Sequence, residues 1–215
     1  MLRLDQDLSA FYGQVSQDPE LAWAAAGAGR MLRSPTAFED TVKTICTTNC
    51  SWGATRRMVE ALVTDLGDPS LGGLGPLTNA FPTPQAMAAA PESFYRERAK
   101  AGYRAAYLIS LARLVAGGTL DLEALATEGP ERLPEDELEA RLLDLPGVGP
   151  YAAAHIMMTM GRNSRLILDS WTRPTYASKL ARTKPVSDAV IRRRFRKYGD
   201  QAGLAFWLFV TSDWV

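Results

Sequence analysis

The stretch Leu142–Ile156, LLDLPGVGPYAAAHI, decides how this 215-residue chain is read. Helical apolar spacing on either side is broken by Pro-Gly-Val-Gly, so two helices must be joined by a tight turn at 145–149. Glycines at 147 and 149 permit positive φ and leave no side chain to obstruct an approaching group. The N–H groups around Gly147, Val148 and Gly149, with the helix start that Pro150 supplies, form a site where the helix dipole favours an anion. This is helix-hairpin-helix geometry, suited to holding a phosphate backbone without reading bases. The plainer reading is a helix corner that needs glycine only for packing.

Outward from the hairpin, nearly every segment has the 3- and 4-residue apolar spacing of helix. Ser34-Pro35 reads as N-cap and first residue of a helix in which Phe38, Val42, Ile45 and Cys46 share a side. Ser51 caps the next helix, with Val59, Leu62 and Val63 inward and a stop near Gly67. The Gly- and Pro-rich stretch Asp68 to Phe81 reads as a surface loop. Thr83-Pro84 and Pro91-Glu92 open short helices, Ala105 to Val115 is longer, and Pro134 opens Glu135 to Leu143. Helices are also expected from Tyr151 to about Met160, from Ser170, from Ser187 and from Gly203. No convincing strand, repeat or low-complexity tract interrupts them, so the fold is expected to be all-α.

Composition adds an uneven charge. The chain is formally neutral, with 47% hydrophobic residues. Positions 117–139 nevertheless hold eight acids against Arg132, and positions 141–199 hold twelve Lys or Arg against Asp144, Asp169 and Asp188. A basic third of the chain suits a polyanion, although Arg192 to Lys197, RRRFRK, also reads as the solvated side of a helix. No apolar run reaches the ~20 residues of a membrane span, and the acidic, interrupted start is unlike a signal peptide. A cytoplasmic protein, nucleoid-associated if bacterial, is expected. Cys46 and Cys50 lie four apart and read as core residues rather than a bridge; two cysteines make no iron–sulfur or zinc site by themselves.

With its hairpin and the following LILDSWTRP, the chain resembles the helix-hairpin-helix (HhH-GPD) DNA glycosylases, the superfamily of endonuclease III, 3-methyladenine glycosylase II and 8-oxoguanine glycosylase. FEDTVKTICTTNCSW and AFWLFVTSDW are similar to family segments, and AGYRAAYLISLAR to one typical of 8-oxoguanine glycosylases. The resemblance implies two helical subdomains, residues 35–161 forming a barrel and residues 1–34 with 162–215 a bundle, with a DNA and base-binding cleft between them. It implies a monomer acting on double-stranded DNA that contains a damaged base.

The resemblance makes Asp169 the catalytic residue. Cleaving an N-glycosidic bond develops oxocarbenium character on the sugar, which a carboxylate stabilises while it orients or deprotonates the attacking water. The bland alternative is an N-cap, since Asp before Ser-Trp-Thr suits a helix start. Strand-nicking relatives carry a lysine two residues after the second hairpin glycine, and Tyr151 stands there; a phenol forms no Schiff base. The expected enzyme is therefore monofunctional, leaving an abasic site, with an alkylated purine as substrate. Its alternatives are an oxidised purine, suggested by GYRAAYL, and a non-catalytic DNA-binding module.

Asn49 is placed where relatives carry a wedge residue that fills the space of the flipped base, with an ordinary interhelical amide as the alternative. The carbonyls of Leu143, Leu145 and Val148 are expected to hold a structural cation at the hairpin, their side chains lying in the core. No cofactor is expected to take part in catalysis. Trp52, Tyr151, Trp171, Phe206 and Trp207 are candidates for stacking an extruded base. His155, one turn past Tyr151, is expected to be buried or near a phosphate rather than catalytic.

Overall fold

The computed structural model describes Leu4, residues 6–69 and residues 79–214. Residues 70–78 of the expected Gly/Pro loop lie outside the described residues. Among the described residues all regular elements are helical, apart from an isolated antiparallel bridge between Pro69 and Asn79. In chain order the α-helices are α1 Ser9–Val15, α2 Ala37–Thr47, α3 Trp52–Leu66, α4 Pro84–Ala89, α5 Arg104–Ala116, α6 Leu122–Thr127, α7 Glu135–Leu143, α8 Pro150–Thr159, α9 Thr172–Lys179, α10 Asp188–Phe195 and α11 Ala202–Thr211. Short 3₁₀ segments follow α1, α10 and α11, and a single π-helical turn, Phe94–Arg98, precedes α5.

The caps explain most boundaries. Ser51 Oγ accepts from the Ala54 N–H at 3.3 Å, and Thr83 Oγ1 from the Ala86 N–H at 3.1 Å with Pro84 at the first helical position. Helix α2 differs from expectation: its cap is Thr36, which accepts from the Glu39 N–H at 3.1 Å, not Ser34. Ser34 instead donates its N–H to Asp40. Glu123, from the acidic segment, reaches the start of α2 and accepts from the N–H groups of Ala37 and Phe38 at 2.7 and 3.2 Å. At least this member of the acidic run is therefore a structural cap, satisfying donors that a helix start leaves without partners. The sequence pattern did not bring out α1 or α6, each of which is short and leans on neighbouring elements for its burial.

The chain divides into two compact units, Ser34–Ala152 and Met1–Arg33 with Ala153–Val215. In the first, α2 buries Phe38, Val42, Ile45 and Cys46 as expected, and Leu62, Met87, Leu108 and Leu111 extend the core. Cys46 is fully buried with a free thiol, and burial pushes its pKa up to about 12, which makes it unreactive. In the second unit the centre is α11, AGLAFWLFVT, apolar on nearly every side as a central helix must be. Around it pack Phe11, Leu21, Tyr176, Ile191, Phe195 and Tyr198.

Much of the basic third is tied to this second core. Arg194 bonds Glu20 and lies over the Phe209 ring, 4.7 Å from its centroid. Lys197 reaches Asp18 at 2.8 Å, and Arg173 pairs with Asp188 at 2.7 Å. The RRRFRK run is thus partly structural, with Arg192, Arg193 and Arg196 left exposed.

Candidate active site

Asp169 sits just ahead of α9. Its Oδ1 accepts the N–H groups of Trp171 and Thr172 at 2.9 and 2.6 Å, while its own N–H donates to Thr172 Oγ1 at 2.9 Å. This reciprocal pair is the capping pattern in which both side chains meet orphan donors of a helix start. Oδ2 accepts no hydrogen bond among the described residues, and the residue is only half-buried. One carboxylate oxygen is therefore clamped and the other is left open by the cap.

The segment leading to Asp169 is held from behind. Leu166, Ile167 and Leu168 are buried, and the Gly203 N–H at the start of α11 donates to the Asn163 carbonyl at 2.7 Å. Asn163 Nδ2 donates in turn to Gln201 at 2.9 Å. A Cβ on Gly203 would lie 2.1 Å from the Arg165 carbonyl oxygen, so only glycine allows this approach.

Beside Asp169 the same unit carries an aromatic group. Trp171 packs with its ring centroid 6.2 Å from that of Trp207 and 5.4 Å from that of Trp214, and His155 meets Trp207 edge-on at 6.0 Å. Trp171 is 39% and Trp214 69% exposed, an amount of open indole surface that a folded chain seldom leaves in one place. Trp214 was not among the expected residues; it is the last but one of the chain, where periodicity carries no information. Phe206 is a correction. It is fully buried among Tyr176 and Phe195, whose rings lie 6.3 and 5.3 Å away, and no base can stack on it.

The other candidates belong to the unit Ser34–Ala152. At the hairpin, Leu145 accepts the Val148 N–H at 3.1 Å, closing the turn between α7 and α8. Gly147 has φ +78°, and a Cβ there would meet the Tyr107 ring at 2.6 Å, so glycine is required twice over. Gly149 corrects the expectation of positive φ at both glycines: its φ is not positive, and its Cβ position opens to empty space. The room an anion needs is thus at Gly149, and the backbone demand is at Gly147. Leu145 and Val148 have buried side chains, but Leu143 is 39% exposed, contrary to the expected core position. Leu143 closes α7, so its carbonyl is a hard oxygen donor without a helical partner, whereas the Leu145 carbonyl already accepts the Val148 N–H at 3.1 Å.

Asn49 is exposed, with φ +45°, and its Nδ2 donates to Tyr103 Oη at 3.5 Å. Tyr103 and Tyr107 pack edge to face at 5.9 Å, and the Arg104 guanidinium lies 4.5 Å from the Tyr103 centroid. Arg104 is itself buried and donates to the Thr48 carbonyl and hydroxyl, so it braces the turn that presents Asn49. AGYRAAY was singled out in the sequence only as a likeness; one helical turn between the two tyrosines puts both on one face. Tyr151 Oη lies 3.3 Å from Thr47 Oγ1 at the end of α2. Trp52, at the start of α3, is 72% exposed.

Comparison with known proteins places this arrangement. Residues 42–201 match the model of the HhH-GPD superfamily of base excision DNA repair proteins, and the chain belongs to that superfamily. The structure matches that of Clostridium acetobutylicum 8-oxoguanine glycosylase/lyase bound to DNA with cytosine opposite 8-oxoguanine, at TM-score 0.79 and 28% identity over 99% of this chain and 72% of that one. It also matches the 3-methyladenine DNA glycosylase of Archaeoglobus fulgidus at TM-score 0.75 and 21% identity, over 97% of this chain and 70% of that one. For the 3-methyladenine DNA glycosylase of Schizosaccharomyces pombe in complex with abasic DNA the values are 0.69 and 16%, over 92% and 93%. At those lower identities the likeness is one of fold. A search of curated proteins found no match.

Proposed function

We propose that this DNA glycosylase of base excision repair is monofunctional, that it acts on an alkylated purine flipped out of duplex DNA, and that Asp169 is its catalytic carboxylate. The observation that carries the reading is the state of that carboxylate: Oδ1 held by two N–H groups, Oδ2 without a hydrogen bond among the described residues, and exposed indole rings alongside. In the proposed step the C1′–N bond breaks and its electron pair leaves with the base. Positive charge on the sugar is stabilised by Asp169, and a water oxygen bonds to C1′ as its proton passes to Oδ2. An N-alkylated purine carries a formal positive charge, so it departs neutral without a proton donor. Indole faces attract such a cation, by about 0.5–2 kcal/mol each. A single carboxylate with a tryptophan group is a complete apparatus for that leaving base.

Tyr151 supports the absence of lyase chemistry, because a phenol offers no amine for an imine. Lys179, in α9 beyond Asp169, is held by Ser212 at 2.7 Å and Asp213 at 2.8 Å. We also assign the hairpin, Gly147 to Pro150, to a DNA phosphate, Asn49 to the space of the flipped base, and the carbonyls of Leu143, Leu145 and Val148 to a structural cation. A second reading, an oxidised purine as substrate, is favoured by the 28% identity to the Clostridium enzyme.

One experiment tests these points together. Duplexes carrying a single 3-methyladenine, 7-methylguanine or 8-oxoguanine are incubated with the enzyme and resolved with and without alkali, and in parallel with borohydride. Base release from the methylated duplexes, strand breaks only after alkali and no trapped adduct are expected. Preference for 8-oxoguanine would replace the substrate assignment; an adduct forming as fast as base release would remove the monofunctional one.

A further inference from the structure

Besides the hairpin, the unit Ser34–Ala152 carries a second cationic feature. Helix α3 and the turn after the π-helical segment enclose a surface groove of about 330 Å³, lined among others by Arg57, Glu60, Thr64, Arg98 and Lys100. Two of its charges are neutralised within the chain: Glu60 pairs with Arg56 at 3.1 Å and Arg98 with Asp65 at 2.6 Å. Arg57 and Lys100 remain, both exposed, neither with an ion pair or hydrogen bond among the described residues.

The backbone presents Lys100 at a cost. Its φ is +53°, a left-handed conformation that a residue with a Cβ seldom adopts. It is imposed from both sides, since Ala99 and Ala101 are buried and the Ala101 N–H donates to the Tyr95 carbonyl at 2.8 Å. Three residues on is Tyr103, which meets Asn49 and Tyr107, and Tyr107 lies against Gly147 of the hairpin. Hairpin, tyrosine pair, exposed amide and cationic groove therefore form one connected series along this unit.

Resting on the DNA glycosylase reading, we infer that Arg57 and Lys100 form a second phosphate-binding point, which takes a phosphodiester of the same duplex at a different nucleotide from the one the hairpin holds. Charge complementarity selects this occupant, because two uncompensated cations in an open groove attract a strong anion, and a guanidinium and an ammonium both bind phosphate oxygens well. A single phosphate contact leaves the duplex free to turn about it. A second contact, beyond Asn49 and Tyr103, fixes which base pair those side chains face.

The test uses the full-length protein carrying Arg57→Gln and Lys100→Gln together and a duplex with a tetrahydrofuran abasic analogue, with Arg132→Gln as control. Binding is measured across a salt series, and on duplexes in which single phosphates are replaced by uncharged methylphosphonates. Each lost phosphate contact lowers the slope of log K against log salt by about 0.9. The double variant is expected to lose between about 1 and 2 units of slope, and on the order of tenfold or more in affinity at low salt, with unchanged melting. One methylphosphonate position should weaken the wild type and leave the double variant unaffected, and it should differ from the position at which Gly149→Asp is insensitive. A slope and affinity equal to the Arg132→Gln control, with Gly149→Asp still impaired, would overturn this inference alone. Normal binding by Gly149→Asp as well would overturn the proposed hairpin anchorage on which the second contact rests.

Discussion

Replacing Asp169 by Asn and by Ala separates its cap from its proposed chemistry, because the cap uses Oδ1 and the proposed step uses Oδ2. The cap requires only an acceptor at Oδ1 for the N–H groups of Trp171 and Thr172. Asparagine keeps that acceptor and is as good a cap as aspartate, so Asp169→Asn should change stability by less than about 0.5 kcal/mol. Alanine removes the acceptor and should cost about 1 kcal/mol, within the 0.5–2 kcal/mol typical of lost caps. For a chain of this size that lowers Tm by roughly 2–4 °C. Chemistry requires the negative charge at Oδ2, which both substitutions abolish. Removal of one preorganised electrostatic group costs on the order of 10²-fold in rate or more, equivalent to at least about 2.7 kcal/mol of barrier. The expected pattern is two inactive variants of which only one melts early, while DNA binding is retained by both, because the lost interaction develops only in the transition state. Thermal unfolding and single-turnover base release from a methylated duplex read the two effects independently. Asp169→Asn with activity within a few-fold of wild type would refute the catalytic assignment and leave the residue as a cap.

Three further predictions follow from neighbouring contacts. Gly203→Ala places a Cβ 2.1 Å from the Arg165 carbonyl, so α11 or the segment before Asp169 must move; overpacking and a weakened Asn163 bond together should cost roughly 2–5 kcal/mol and lower base release beyond the loss of folded protein, and unchanged melting would contradict the close approach. Gly147→Ala, with φ +78° and the Tyr107 ring at 2.6 Å, should destabilise the hairpin and weaken DNA binding, whereas Gly149→Ala, whose Cβ position is open, should leave melting unchanged; equal melting of the two would show that the turn does not need Gly147. Asp18 is pushed up by burial, yet bonds from Lys197, Tyr198 and the Glu20 N–H bring its pKa down to about 2. A carboxylate with a folded pKa below its unfolded value near 4 stabilises above that value and loses its contribution as pH falls from about 4 to 2. The wild type should thus lose about 2 kcal/mol more than Asp18→Asn over that window in acid unfolding, and parallel curves would refute it.

The features legible in the sequence were those with local causes. The hairpin follows from Pro-Gly-Val-Gly between two helical patterns, and the caps at Ser51 and Thr83 and the start at Pro134 follow from residues within one turn of the donors or helix starts they serve. The cap at Asp169 was legible for a similar reason, since its partners are its nearest neighbours, while its proposed catalytic role rests on the likeness of LILDSWTRP after the hairpin to the family. What the tertiary structure alone decided depends on residues far apart in the chain. Phe206 and Trp207 are adjacent and equally plausible as stacking residues, but the roughly 100° between successive helix positions puts one deep in the core and the other at its edge beside Trp171. The basic run 192–197 had two readings until Glu20 and Asp18, from the other end of the chain, were seen to take Arg194 and Lys197. Gly203 reads as an ordinary helix residue until the carbonyls of Asn163 and Arg165 are placed against it. Spacing along a helix reports which residues share a face, and only the packing of distant segments decides whether that face meets core, partner charge or open solvent.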